Sequence, residues 1–443
     1  MKRVLLLIPT TSYRTQAFLD AAQRLGVEIT VASERRNVLE ETNPTGLLTL
    51  NFRFPEESAR AVIEFSKHQV ISAVLGVDDQ SVLAAVHVAE ALSLPHNSVA
   101  SVSAARNKYL MRELLSKADV SQPRYALFSL DDGPTPVARQ VSYPCVLKPL
   151  TLAGSRGVIR ASDEDEFVKA FLRIESILRL PDVASMCRGD EARYVLVEQY
   201  VPGDEVALEA LLSKGELRVL TIFDKPNPLV GPFFEETIYL TPSRLPQHVQ
   251  NEIASCAGRA TRALGLEEGP VHAELRINDE GSWVIEIAAR SIGGFCSRAL
   301  RFVEDRGLGN NISLEGLILR HALGMETGVY EREPLASGVM MIPIPRGGVL
   351  NEVRGVQEAK AIPHIEDIVI SAHLGENLGP LPEGGKYLGF IFSRAESPLQ
   401  VEAALRDAHR RLVFVITPGE RVRSNGIQVS YLHKEINYGR SNC

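Results

Sequence analysis

Cysteine is scarce in this chain: Cys145, Cys187, Cys256, Cys296 and Cys443 are the five in 443 residues. None forms a C-x-x-C pair, which argues against a zinc site or a disulfide framework and for a reducing compartment. Long apolar runs are lacking too. No stretch reaches the roughly 18 residues of a membrane span, and the run at 4–8 is shorter than a signal-peptide core, so a cytoplasmic protein with no membrane partner is expected. Positive charge is not in excess: 48 Lys and Arg face 55 Asp and Glu, net −7, which leaves no footprint for nucleic acid. Local basic clusters must then serve smaller anions. The segment after the first apolar strand reads Pro9-Thr10-Thr11-Ser12-Tyr13-Arg14, without G-x-G-x-x-G, so a dinucleotide site of the Rossmann type is unsupported. No internal repeat stands out, and His364, His373 and His433 are too scattered to argue for a metal.

The length implies two to four domains. An apolar share of 45% and a charged share of 23% are those of an ordinary soluble globular protein. Strand and helix signals alternate at 4–8, Thr15–Leu25, 28–32, 47–50, 55–68, 70–75 and 78–92. Such alternation predicts a parallel sheet with helices on its faces. For Asp78 and Asp79, helix N-capping outweighs a place in a cleft.

Chemistry concentrates at 271–290. Val271, Ala273, Leu275 and Ile277 alternate with His272, Glu274 and Arg276, and Trp283, Ile285 and Ile287 alternate with Val284, Glu286 and Ala288. Two strands follow from that period. Asn278-Asp279-Glu280-Gly281-Ser282 reads as the turn. Centring it on residue 280 puts Glu274 opposite Glu286. Two carboxylates so close invite a shared proton or a cation, and hard oxygen ligands suit Mg²⁺ held jointly with phosphate. Arg290, on the face of Glu286, offers a fork-shaped donor for phosphate or carboxylate. The plainer alternative is a solvated hairpin face.

Other segments bear on that choice. The run 143–149 reads as a buried strand in which Lys148 needs an anionic partner, and phosphate is a good one. Gly154 and Gly157 let backbone N–H groups fold over phosphate oxygens. A helix is expected over 100–118, carrying Lys108, and another over 163–179, before a polar excursion at 180–193 and a strand at 194–200. A hairpin is expected around Lys214-Gly215, and helices over 250–264 and 311–323. In the loop 231–236, two exposed-looking phenylalanines beside Glu235 and Glu236 suit an amino group with a hydrophobic side chain; equally, the two acids solubilise the loop.

With this hairpin, Lys148 in Tyr-Pro-Cys-Val-Leu-Lys-Pro, the loop Ala-Gly-Ser-Arg-Gly-Val and Val-Glu-Gln-Tyr-Val-Pro-Gly-Asp-Glu, the chain resembles the ATP-grasp superfamily, most specifically over 108–296. Glu-Ile-Ala-Ala-Arg followed by Gly293-Gly294 is most similar to the L-amino acid ligase branch. The resemblance implies an α/β (α+β) ATP-grasp fold: a parallel-sheet preATP-grasp domain at 1–98, a two-subdomain nucleotide-binding module at 99–330 with a mobile lid at about 150–210, and a β-rich C-terminal domain at 331–443. It places Lys108, Lys148, Gly154, Ser155, Gly157 and Val158 on ATP phosphates, Glu198, Tyr200 and Val201 on adenine, and Glu205 on ribose. It gives Glu274 and Glu286 to Mg²⁺, with Mn²⁺ as the alternative. Arg290, Gly293 and Gly294 fall on the carboxylate being activated, and Lys148 and Arg290 neutralise charge in catalysis. Glu235 and Glu236 are assigned to the amine substrate. The implied reaction joins a carboxylate to an amine through an acyl phosphate, releasing ADP and phosphate, with amino acids as substrates. Carboxylation, carbamoyl transfer and a non-catalytic nucleotide-binding regulator are the competing readings. The oligomeric state is open, homodimers being common in the family. One departure matters: many ATP-grasp enzymes have Asn two residues after the second glutamate, where this chain has Ala288, which puts a second metal in doubt.

Overall fold

The computed structural model describes residues 2–187, 189–304 and 311–418. Residues 419–443 of the expected C-terminal domain, with His433 and Cys443, lie outside it. The first apolar run is the strand Arg3–Leu7, buried throughout. It lies in a parallel sheet of four, in the order Leu47–Thr49, Glu28–Ser33, Arg3–Leu7, Ala73–Gly76. Helices Thr15–Leu25, Pro55–Ser66 and Val82–Ala91 alternate with these strands in the chain, which is why the central strand has no polar face.

The helix expected over 100–118 is two helices, Val99–Arg106 and Lys108–Lys117. Asn107 between them is extended, with φ −104° and ψ 109°, and its side chain accepts from the N–H groups of Tyr109 and Leu110. An Asn that satisfies free helix donors is a start signal, and it outcompetes continuation. Lys108 therefore heads a helix, where the helix dipole disfavours a cation. Likewise the excursion at 180–193 contains a short helix, Pro181–Met186, beyond the lid helix Glu164–Leu178.

The stretch 150–210, expected as the lid, shares an antiparallel sheet with strands that precede it, in the order Tyr125–Ser129, Tyr194–Gln199, Cys145–Pro149, Ile159–Ala161. Below it an eight-stranded antiparallel sheet runs Gly281–Ala288, Gly269–Asn278, Asp204–Ser213, Glu216–Asp224, Ile238–Thr241, Ala336–Ile342, Gly389–Ala395, Ile365–Ile370. Its last three strands come from beyond residue 331: Ala336–Ile342 pairs with Ile238–Thr241, a strand that would otherwise present an open edge, and Gly389–Ala395 and Ile365–Ile370 extend the sheet from there. The C-terminal segment is thus continuous with the sheet that carries the acidic hairpin, and its loop at 380–387 reaches back to the lid.

Candidate active site

The hairpin is tighter than the expected turn. Asn278 pairs with Gly281, leaving Asp279 and Glu280 as a two-residue loop, and Leu275 then pairs with Val284. A β-bulge restores the carboxylate pairing: the register shifts between Glu274 and Leu275, so that Ile285 is the extra residue and Glu274 faces Glu286. The carbonyl of Ile285 accepts from Arg112 Nη2 at 2.7 Å.

Period two then places three polar side chains of one strand on the cleft face. Arg276 lies opposite Glu205 and pairs with it at 3.0 Å, while His272 lies opposite Glu209 and is hydrogen-bonded to it through Nδ1. Glu274, between them, has Ala207 opposite on that side. Lys225, just past the next strand, extends its ammonium into this row, 2.8 Å from Glu205, 3.3 Å from Glu274 and bonded to Glu236. Burial alone would raise the Glu274 carboxyl, but Lys225 and His272 hold it well below the usual range. The Glu236 carboxyl is pushed up to about 7 by burial and by the Glu274 charge. Burial would lower the His272 imidazole, and Glu209 and Glu274 instead raise it to about 9.

On the lid side, Lys148 finds its anion within the protein. Glu198, 2% exposed, lies 2.6 Å from Lys148 Nζ and 2.7 Å from Arg112 Nε. Those cations overcome desolvation and lower its carboxyl to about 2. Lys108 Nζ donates to the Leu152 carbonyl at 2.8 Å and sits 3.5 Å from Glu286 Oε1, joining the helix start, the loop after the strand Cys145–Pro149 and the hairpin. In the loop, Gly154, Ser155 and Gly157 all have positive φ. Gly157 turns away from the cleft: its N–H donates to the Pro382 carbonyl at 2.9 Å, and a Cβ there would meet Pro149 Cγ at 2.6 Å.

Arg290 is held by Asp79, which accepts from Nε at 2.9 Å and Nη2 at 2.7 Å. Capping therefore does not explain Asp79: the following helix begins at Val82 with Ser81 at its cap, and the Asp79 side chain faces the cleft. Arg14, paired with Glu315 at 2.8 Å, donates to Ser291 Oγ at 2.6 Å and fixes the segment after Arg290. Among the described residues, the N–H groups of Gly293 and Gly294 meet no protein acceptor.

These groups surround one cavity of about 340 Å³. Of the residues expected at the site, Lys108, Lys148, Gly154, Ser155, Val158, Glu198, Tyr200, Val201, Glu205, Glu236, Glu274, Glu286, Arg290, Gly293 and Gly294 line it. Gly157 and Glu235 do not. Glu235 is half-buried beside the Ile344 backbone, and burial pushes its carboxyl up to about 7. The solubilising-loop reading of 231–236 fails: neither acid is exposed, and Phe234 is 9% exposed. Sequence reading ranked the cleft below capping for Asp78 and Asp79, which both line the cavity, and it missed Lys225 beside it, the roles of His272 and Arg276, and the far wall of Tyr13, Met341, Tyr387 and Phe390. One signal was present for this buried network: Glu209 interrupts the apolar run Val206-Ala207-Leu208-Glu209-Ala210-Leu211-Leu212 and is 1% exposed.

Glu274 and Glu286 fit a hard cation. They offer carboxylate oxygens from paired strands beside a cavity, a donor set that suits Mg²⁺ completed by phosphate oxygens and water. A cleft with paired carboxylates, two lysines and an arginine has the parts of a phosphoryl-transfer centre. An ATP-grasp domain model matches residues 141–299, an ATP-grasp N-terminal domain matches 19–96, and an L-amino acid ligase C-terminal domain 2 matches 340–417. The chain belongs to the ATP-grasp superfamily and carries the C-terminal domain of its L-amino acid ligase branch. Dapdiamide A synthase of Enterobacter agglomerans is 30% identical over 232 residues, 51% of each chain. Alanine–anticapsin ligase of Bacillus subtilis (strain 168) is 29% identical over 217 residues, 46% of this chain and 45% of that enzyme. The matched stretch thus spans about half the length of each of those two ligases. The crystal structure of L-amino acid ligase from Bacillus licheniformis superposes with a TM-score of 0.77 at 25% identity, covering 94% of this chain and 99% of that one.

Proposed function

We propose that the protein is an ATP-dependent carboxylate–amine ligase that joins two amino acids, or an amino acid and a related amine, and releases ADP and phosphate. The observation that carries this reading is the convergence on one cavity of Glu274, Glu286, Lys108, Lys148 and Arg290. The likeness to L-amino acid ligase over nearly the whole chain supports it.

In this mechanism the γ-phosphate lies between the hairpin and the lid loop. A carboxylate oxygen of the first substrate attacks the γ-phosphorus, the bond to the β-phosphate oxygen breaks, and an acyl phosphate and ADP result. Lys108, Lys148 and Arg290 offset the charge that develops on the transferred group. When bound at Glu274 and Glu286, Mg²⁺ supplies charge neutralisation of the phosphate oxygens. Lys148 exchanges part of its pairing with Glu198 for phosphate. Gly293 and Gly294 N–H groups, next to Arg290, hold the carboxylate in place. The amine of the second substrate then attacks the acyl carbon and displaces phosphate. Glu236 faces that end of the cavity, and the Tyr13, Met341, Tyr387 and Phe390 wall suits an apolar side chain. Tyr200 and Val201 line the adenine end. The lid keeps water from the acyl phosphate.

The test is ATP consumption with Mg²⁺ across pooled amino acids, with ADP separated from AMP. ADP and phosphate are expected only when a carboxylate and an amine are both present, and Glu286→Ala abolishes them. AMP release, bicarbonate-dependent turnover without an amine, or no turnover in any pool would sink the reading.

A further inference from the structure

The acidic row holds more carboxylates than one metal needs. Ligand oxygens of Glu205, Glu236 and Glu274 all lie within 4.8 Å of one another, the spacing of a cation site, and Glu286 is not part of that group. The group is already occupied by a side chain. Lys225 Nζ lies 2.8 Å from Glu205 and 3.3 Å from Glu274 and is bonded to Glu236, with its side chain 3% exposed. Arg276 closes the outer side of Glu205 at 3.0 Å, and His272 Nε2 sits 3.4 Å from Glu274. A divalent ion entering here would have to displace a buried ammonium from all three of its carboxylates at once, and charge buried without a partner is disfavoured.

A second observation agrees independently. Two residues beyond Glu286, on the same face of its strand, a further ligand could stand beside it only if the side chain carried an oxygen. That position is Ala288, 4% exposed, and its partner across the hairpin is His272, which is engaged by Glu209. On the hairpin, Glu274 Oε1 is the oxygen that Lys225 and His272 approach, which leaves Glu274 Oε2 and the Glu286 carboxylate to face a metal. Two carboxylates with phosphate and water are enough for one Mg²⁺.

We infer that the Lys225 ammonium stands where a second divalent cation would otherwise sit, so that the cleft binds its nucleotide with a single metal. The inference rests on the nucleotide-binding part of the proposed function and not on the ligase step. Its test counts Mn²⁺ bound per chain, from the electron paramagnetic resonance signal of free Mn²⁺, in full-length protein saturated with ADP. One Mn²⁺ per chain is expected for the unaltered protein, and two bound with comparable affinity overturn the inference without reference to any variant. Lys225→Met, which keeps the apolar stem and removes the charge, is expected to bind one Mn²⁺ more than the unaltered protein when its circular dichroism spectrum is native. An unchanged count in that folded variant overturns the inference as well. A chain that binds one Mn²⁺ with ADP but joins no carboxylate to an amine refutes the ligase reading and leaves this one standing. Failure to bind Mn²⁺ with ADP at all refutes both.

Discussion

Glu198→Gln removes one charge from the centre of a three-residue buried network and keeps its shape. Glu198 is clasped by Arg112 at 2.7 Å and Lys148 at 2.6 Å, and Arg112 in turn holds the bulge carbonyl of Ile285. The fall of its carboxyl from 4.5 to about 2 corresponds to roughly 3 kcal/mol in favour of the ionised, folded form. Removing one partner of a buried ion pair costs about 3–5 kcal/mol, because the remaining cations are left uncompensated. The two figures agree, and for a domain of ordinary size they translate to a drop in Tm on the order of 10 °C. Calorimetry at pH 7 measures it. The pH dependence has a definite sign: Glu198 is depressed in the folded state, so its contribution is fully present above 4.5 and is lost as pH falls from there towards about 2. The gap between Glu198→Gln and the unaltered protein should therefore narrow below pH 4.5. ADP should raise the Tm of the variant more than that of the unaltered protein, since phosphate replaces the missing anion beside Lys148. A variant within about 1 kcal/mol of the original at pH 7, or a gap that does not narrow in acid, would refute the account.

Asp79→Asn removes the charge of the carboxylate whose Oδ2 accepts from both Nε and Nη2 of Arg290, and kcat/KM for the carboxylate substrate is expected to fall about 10- to 100-fold through misplacement, measured by steady-state ADP release. Glu383 of the C-terminal loop holds Arg173 of the lid helix at 2.5 and 2.8 Å. Glu383→Ala should weaken closure by about 1 kcal/mol, raising amine-independent ATP hydrolysis roughly fivefold in a coupled phosphate assay; unchanged coupling would exclude the latch. Burial raises the Glu235 carboxyl to about 7, so its neutral form favours the fold below 4.5 and that advantage disappears as pH rises through 7. Glu235→Gln should match the unaltered protein at pH 4.5 and exceed it in Tm at pH 8, and equal melting at both pH values would count against a buried carboxyl.

Much of the site was legible because its geometry is local. The alternation of apolar and polar residues over 271–277 sets the first strand and its cleft face, whereas the expected alternation over 283–288 fails at the bulge: Val284, expected beside Glu286, is buried in the core with Ile287, and Trp283 lies opposite Arg276. The register of that pairing was reached by a different route from the expected one. A two-residue turn alone would have put Glu274 out of step with Glu286, and the bulge at Ile285 corrected it, satisfied by an arginine from a distant helix. Asn107 shows the opposite case, a local signal present in the sequence and overlooked: a capping side chain divides a run whose helical period continues on both sides.

Strand and helix period, the acidic hairpin, the lid lysine and the glycine loop follow from neighbours in the chain, because backbone geometry repeats over two to four residues. Partners do not. Asp79 with Arg290, Glu198 between Arg112 and Lys148, and Lys225 among Glu205, Glu236 and Glu274 are joined across separations that no periodicity spans. Which charges meet was decided when the sheets packed, since a charge taken out of water needs an opposite charge within hydrogen-bond reach and takes the one the fold brings to it.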